Sequence, residues 1–225
     1  MLILLDTANL EGIRKLNDMY PIDGITTNPS IIVKEKTNFI DLIKEIRSII
    51  GTDKMLHVQT LGTTALEIVE EAEYLNEKIG GNFYVKIPVT DEGIKAMKIL
   101  KEKSIKVSAT SIITALQGLI AAKAGAEYVI PYVNRIDNIS GDGVGVVSEM
   151  VCIFEAYGFK TKVLAASFKN VDQIKRACLA GTHAITAAQD IITQLLQHPL
   201  TDWSVEQFTK DWENMYGKGK RTNNI

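Results

Sequence analysis

The chain has 225 residues, of which 46% are hydrophobic, 23% charged and 7% aromatic, a length and balance that suit one large globular domain and exclude both a disordered chain and a miniature disulfide-held fold. With 25 Lys and Arg against 27 Asp and Glu, the net charge of −2 offers no basic footprint for nucleic acid or an anionic membrane and does not exclude a small polar ligand. Cys152 and Cys178 have no metal-ligand or CxxC spacing and read as reduced core thiols in helices; Met1 runs directly into an apolar segment with no basic leader, so a cytoplasmic chain is expected.

In chain order, short β-branched or alternating segments predict strands at 2–6, 24–27, 55–60, 83–88, 106–110, 128–133, 162–167 and 184–186. Longer stretches with helical spacing separate them. Eight units of about 28 residues predict an α/β fold, a single-domain (β/α)8 barrel, in preference to an open doubly wound sheet. Among the helices, 38–50 places Phe39, Leu42, Ile43 and Ile46 on one face and Asp41, Lys44, Glu45 and Arg47 mainly on the other, with Gly51 as its stop. A second, 64–79, buries Leu66, Val69, Ala72 and Leu75 and stops at Gly80 and Gly81. A third, 91–103, has an acidic first turn and a lysine-rich last turn, matching the helix dipole.

No linker divides the barrel, which is expected over 1–198, followed by an appended helix over 199–217 and a flexible basic tail over 218–225. Phe208, Trp212, Met215 and Tyr216 share one face of that helix, and Ser204 with Gln207 is spaced as a capping box. Two readings of the aromatic face stand: it packs across the barrel's own end, or it docks on a neighbouring subunit.

In a parallel barrel alternate side chains point inward, so polar residues of one parity mark an interior site. By this test Lys86 points inward from 83–88, His57 and Gln59 from 55–60, and Ser108 and Thr110 from 106–110. Ile130 and Tyr132 point inward from 128–133, and Ala165 and Ser167 from 162–167 with Lys169 continuing the same parity just beyond it, while Asp6 closes the first strand. These residues collect near the C-terminal strand ends, where barrel enzymes build their sites. No HExxH, metal-ligand cluster or Ser-His-Asp signature occurs, so no metal is expected. The Gly141-Asp-Gly-Val-Gly145 run lacks a dinucleotide fingerprint and reads as a loop opening a helix. Desolvation favours a neutral amine over an ammonium, and the neutral amine attacks ketones, so Lys86 is the candidate nucleophile; the competing reading pairs it structurally with Asp6. Arg135, Ser167 and Lys169 could converge on a phosphate dianion.

The segments Gly24-Ile-Thr-Thr-Asn-Pro-Ser30, Val85-Lys-Ile-Pro-Val-Thr90, Gly125-Ala-Glu-Tyr-Val129, Pro131-Tyr-Val-Asn-Arg-Ile-Asp137 and Ala165-Ala-Ser-Phe-Lys169 together resemble the transaldolase family. The short chain is most similar to the small subfamily that contains fructose-6-phosphate aldolase. The resemblance implies that Lys86 forms a Schiff base and that Asp6 and Asn28 hold hydroxyls of a dihydroxyacetone unit, Asp6 also moving protons. It implies further that Thr26 supports that pocket, that Arg135, Ser167 and Lys169 bind the phosphate, and that Gln59 and Thr110 orient a water. Gln59 and Tyr132 match the aldolase branch, where transaldolases carry Glu and Phe; a neutral Gln positions water but cannot exchange its proton, leaving that work to the phenol. His57 and Ile130 are departures that could reshape the acceptor side, although His57 also reads as a core imidazole.

The implied activity is cleavage of fructose 6-phosphate to dihydroxyacetone and glyceraldehyde 3-phosphate, with no cofactor and with sugar phosphates as partners. A ring-shaped homo-oligomer, pentamer or decamer, is implied with it. Two alternatives stand beside that reading: a transaldolase moving the same three-carbon unit between sugar phosphates, and a non-catalytic sugar-phosphate-binding barrel.

Overall fold

Strands rich in Val, Ile and Leu, each followed by a helix, form a parallel sheet whose outer face the helices cover, and closure buries the inner face and removes the edges. The computed structural model describes residues 1–225 and has that form. β1 (Leu2–Asp6), β2 (Gly24–Thr26), β3 (Met55–Gln59), β4 (Phe83–Pro88), β5 (Val107–Ile112), β6 (Tyr128–Pro131), β7 (Lys162–Ala165) and β8 (Ala184–Ala187) follow one another around a closed parallel barrel. β8 pairs back onto β1, completing the (β/α)8 architecture that the eight-fold repeat predicted.

The helices are α1 (Leu10–Met19), α2 (Pro29–Ile32), α3 (Phe39–Ile50), α4 (Ala65–Ile79), α5 (Asp91–Glu102), α6 (Ala115–Ala124), α7 (Val133–Asp137), α8 (Gly143–Ala156), α9 (Val171–Leu179), α10 (Gln189–Gln194) and α11 (Pro199–Tyr216). A 3-10 turn, Val33–Glu35, follows α2. Met1–Ile191 form one compact unit and Ile192–Ile225 a second.

One device recurs where strands hand over to helices. Asn9, Asn38, Thr64, Thr90, Thr114, Asp142 and Asn170 each accept a hydrogen bond from the backbone N–H three residues on, fixing the starts of α1, α3, α4, α5, α6, α8 and α9. Each such cap is worth about 1 kcal/mol. Because helix starts follow the C-terminal strand ends, the caps brace the barrel mouth. The Gly141–Gly145 run is one of them: Asp142 caps α8 through the Gly145 N–H.

Several burial expectations need correction. Arg47 is buried, because its guanidinium donates to the carbonyls of Gly51 at 2.8 Å, Lys54 at 2.8 Å and Asn82 at 3.2 Å and so ties α3 to the starts of β3 and β4. Leu66 is exposed, since the inner face of α4 is formed by Ala65, Ile68, Val69, Ala72 and Leu75. Phe39 lies at the rim of an outer groove and not in the core. Cys152 is exposed and Cys178 partly so; both are free thiols on helices, but neither is a core residue. Ser204 and Gln207 form no capping box, because α11 starts at Pro199 behind His198 and the Ser204 hydroxyl donates within the helix to Leu200 O at 2.7 Å.

The contrast between Arg47 and the exposed Arg14–Glu45 pair sets a test. Arg47→Ala is expected to lower the unfolding free energy by about 2–4 kcal/mol in urea titrations, since it strands several buried carbonyls. Arg14→Ala is expected to cost less than about 0.5 kcal/mol, because solvent screens its partner.

Candidate active site

The inward parity of β4 carries Tyr84 low in the barrel and Lys86 above it, and the two residues meet different surroundings. Below lies a closed layer of Leu4, Met55, Tyr84, Tyr128, Ile130 and Leu164. His57 belongs to this layer, stacked on Tyr84 at 4.6 Å and 8° and meeting Tyr128 edge-on at 5.8 Å. Its Nδ1 bonds the Ser108 hydroxyl at 3.0 Å, while Nε2 is buried without a partner. Burial, and then the neighbouring Lys86, push the imidazole down to about 3, so the ring is neutral. His57 and Ile130 are fully buried beneath the pocket and do not form its wall, which corrects the expectation that they shape the acceptor side.

Above this layer the mouth opens into a polar cavity of about 590 Å3 lined by Asp6, Asn28, Gln59, Lys86, Tyr132, Arg135, Ser167 and Lys169, among others. Eight of the ten expected site residues therefore share one cavity. The Lys86 side chain is 3% exposed, and its Nζ donates to the Thr27 carbonyl oxygen at 3.1 Å. No carboxylate lies within ion-pair distance of it, so the structural pairing with Asp6 is absent. Thr26 and Thr110, the other two expected residues, are fully buried behind the wall. Thr26 donates to Asp6 Oδ1 at 2.7 Å and shares a 2.7 Å contact with Thr186, while Thr110 meets the Tyr132 hydroxyl at 2.8 Å.

Opposing influences act on the Tyr132 phenol. Burial pushes its phenol up, but Lys86, hydrogen bonds from Thr110 and Ser111, and Arg135 outweigh that effect and hold it below the ordinary tyrosine value. The Arg135 guanidinium lies over the Tyr132 ring, 4.6 Å from its centroid, a cation–π contact that fixes both side chains.

Parity fails on β7, and the failure is informative. Leu164 and Ala166 point inward, not Ala165. Ser167 still reaches the pocket, because its backbone turns left-handed at φ 64° and breaks the alternation. Ser111 does the same on β5, where the register shifts between Ala109 and Ile112 and its φ is 62°. Strict alternation turned Ser111 outward, so sequence reasoning missed it. Left-handed backbone costs a non-glycine residue about 1–2 kcal/mol, and both instances line this cavity.

The β6 and β7 rims are joined by Gln173. Its amide donates to Asp137 Oδ2 at 2.7 Å and Asn134 Oδ1 at 3.2 Å, and its carbonyl accepts from the Lys169 N–H at 2.8 Å. The segments carrying Arg135 and Lys169 are thereby held in fixed relation. Sequence reasoning also missed Lys34 and Ser30 at the cavity wall, because the short helical segment over 29–35 has no periodicity to read. A separate, largely apolar groove of about 410 Å3 shares Asn28, Pro29 and Gln59 with the cavity. No group of three His, Cys, Asp or Glu side chains converges in the chain, and no helix is long and apolar enough to cross a membrane.

Fold and cavity together define a (β/α)8 enzyme-type barrel with an enclosed lysine at its C-terminal mouth. Residues 3–221 match the family described as Transaldolase/Fructose-6-phosphate aldolase. Two proteins of Clostridium kluyveri strains, each described as "Probable transaldolase", are 41% identical over 218 residues, covering 97% of this chain and 100% of theirs. The chain belongs to the transaldolase/fructose-6-phosphate aldolase family and is an enzyme of transaldolase or aldolase type, which sets aside the non-catalytic barrel.

The neutral His57 makes stability depend on pH with a definite sign. An unfolded imidazole takes up a proton near 6.5, while the folded one refuses it until about 3. The contribution is intact above 6.5 and is lost as pH falls through that window. Relative to wild type, His57→Phe is expected to gain about 1.4 kcal/mol of stability per pH unit between pH 6 and 4 in chemical unfolding. A pH-independent difference would show that His57 is protonated in the fold.

Proposed function

We propose that this chain is a class I aldolase that cleaves fructose 6-phosphate reversibly to dihydroxyacetone and glyceraldehyde 3-phosphate through an imine on Lys86. The observation that carries this reading is the setting of Lys86: enclosed, bonded to a backbone carbonyl and not to a carboxylate, in a cavity whose rim holds Arg135 and Lys169. In this scheme the Lys86 amine attacks the C2 ketone. The Tyr132 hydroxyl, backed by Thr110, protonates the carbinolamine oxygen, which leaves as water held by Gln59. Asp6, steadied by Thr26, accepts the C4 hydroxyl proton as the C3–C4 bond breaks. The electron pair of that bond passes into the iminium, giving the enamine.

Glyceraldehyde 3-phosphate departs, its phosphate released from Arg135, Ser167 and Lys169. Protonation at the former C3 and attack of water on the iminium free dihydroxyacetone, whose hydroxyls Asn28 and Asp6 hold, and restore Lys86. A second reading is transaldolase, favoured by the description of the Clostridium kluyveri relatives. It differs only in the fate of the enamine, which attacks a second aldehyde in place of taking a proton. Gln59 and Tyr132 favour the hydrolytic outcome, because a neutral amide positions water while the phenol delivers the proton.

The setting is taken to be cytoplasmic and the assembly a ring of identical subunits, pentamer or decamer. Support for association comes from α11, on which Trp203, Phe208 and Met215 are 58%, 70% and 76% exposed. Large apolar side chains left in water on one helix are costly in an isolated chain and contribute strongly when an interface covers them.

Borohydride reduction with fructose 6-phosphate is expected to leave a dihydroxyacetone-derived adduct on Lys86 by peptide mass spectrometry, and none in Lys86→Met. Unmodified Lys86 would sink the imine. Fructose 6-phosphate alone is expected to yield free dihydroxyacetone; a strict requirement for a second aldehyde assigns the transaldolase reading. For the assembly, Phe208→Glu with Met215→Glu is expected to lower the sedimentation coefficient to that of smaller species. An unchanged value would remove α11 from the interface.

A further inference from the structure

The charge balance of the cavity differs from that of the chain. Lys34, Lys86, Arg135 and Lys169 line it against one carboxylate, Asp6, whereas the whole sequence carries −2. Asp6 is engaged by Thr26, and Lys86 is turned onto the Thr27 carbonyl. None of the chain's ion pairs involves Lys34, Arg135 or Lys169. Three unneutralised cations therefore ring one mouth, a field that an anionic ligand would satisfy.

Their placement is not uniform. Arg135 and Lys169 follow β6 and β7, which are neighbours, and Gln173 joins their segments. Lys34 follows β2, which lies across the eight-stranded ring from β6. Its segment is directed locally: Asn28 caps α2 by accepting from the Ile31 N–H at 3.0 Å, and the following turn is of 3-10 type. With about three residues per turn, positions 31 and 34 share a face, and both line the cavity, while Ile32 and Val33 line the apolar groove outside it. Lys34 is thus committed to the catalytic side of its turn.

We propose that Lys34 is a third cation for the phosphate of the substrate, gripping it from the rim opposite Arg135 and Lys169, and that it sets the preference for phosphorylated over unphosphorylated aldehydes. The assignment rests on reading the cavity as an aldol site. A phosphate dianion balances two charges at once, and at a solvent-exposed mouth each cation is partly screened, so a third one counts. An uncharged aldehyde gains nothing from it.

The test uses the full-length enzyme running in the synthetic direction with dihydroxyacetone and two acceptors, glyceraldehyde 3-phosphate and glyceraldehyde. Lys34→Ala is expected to raise KM for the phosphorylated acceptor about tenfold and to move KM for glyceraldehyde less than twofold, with Lys34→Arg restoring the split. Raising the salt concentration is expected to shrink the wild-type preference toward that of Lys34→Ala. Equal shifts for both acceptors, or no shift for either, overturn the assignment and leave Lys34 a solvated surface charge. Calorimetric titration with inorganic phosphate separates this outcome from failure of the aldol reading. If wild type forms no adduct on Lys86 yet binds phosphate several-fold more tightly than Lys34→Ala, the phosphate role stands without the imine. Equal phosphate affinity removes it in either case.

Discussion

A primary amine inside a barrel is tolerable only where a polar partner waits for it, and that partner determines what the amine can do. Lys86 meets the Thr27 carbonyl, an acceptor that satisfies one N–H without contributing a full negative charge. A carboxylate in that place would hold an ammonium in a tight pair; a backbone oxygen binds one N–H and forms no ion pair. The rest of the mouth follows from keeping this arrangement. Asp6 accepts a hydrogen bond from Thr26, whose hydroxyl also meets that of Thr186, so the carboxylate of the mouth is anchored on the side formed by β1, β2 and β8.

Beneath Lys86 the barrel is sealed. His57, Tyr84 and Tyr128 pack as stacked and edge-on rings, and a protonated imidazole among them would have no second acceptor for its extra N–H. A polar residue therefore serves here as a neutral aromatic plate. This layer gives the pocket its floor, while two serines with left-handed backbone form part of its wall. Ser111 and Ser167 leave the alternation of their strands at the level where the cavity begins, each through a left-handed backbone that regular sheet geometry would not choose. Such strain persists only where surrounding hydrogen bonds over-determine it, and here the β5 register shift and the Asn134 N–H bond to Ser167 O provide that constraint.

Charge is handled by segregation. The chain is nearly neutral overall, but the mouth concentrates cations contributed by loops after β2, β6 and β7. The Arg135 guanidinium stacks over the Tyr132 ring, and that contact links the cationic rim to the phenol whose acidity Lys86 increases. One tyrosine thus touches both halves of the pocket.

The eight-fold repeat and the period-two alternation of β1 to β4 and of β5 up to Thr110 are local patterns. The barrel, the inward placement of Lys86, Gln59, Asp6 and Tyr132, and the motifs that carry the family were therefore legible in the amino-acid order. Arg47 escaped that reading because its burial depends on carbonyls beyond the end of its helix, at Gly51, Lys54 and the distant Asn82, which no helical wheel displays. Ser111, the reversed parity of β7 and Lys34 escaped it because a bulge, a left-handed turn and a 3-10 segment each break the periodicity on which pattern reading rests. Sequence by itself determined which side chains a regular strand would present to the barrel axis. Only the tertiary structure decided where strands stop being regular, because that is settled by hydrogen bonds between residues far apart in the chain that compete with the local preference of the backbone.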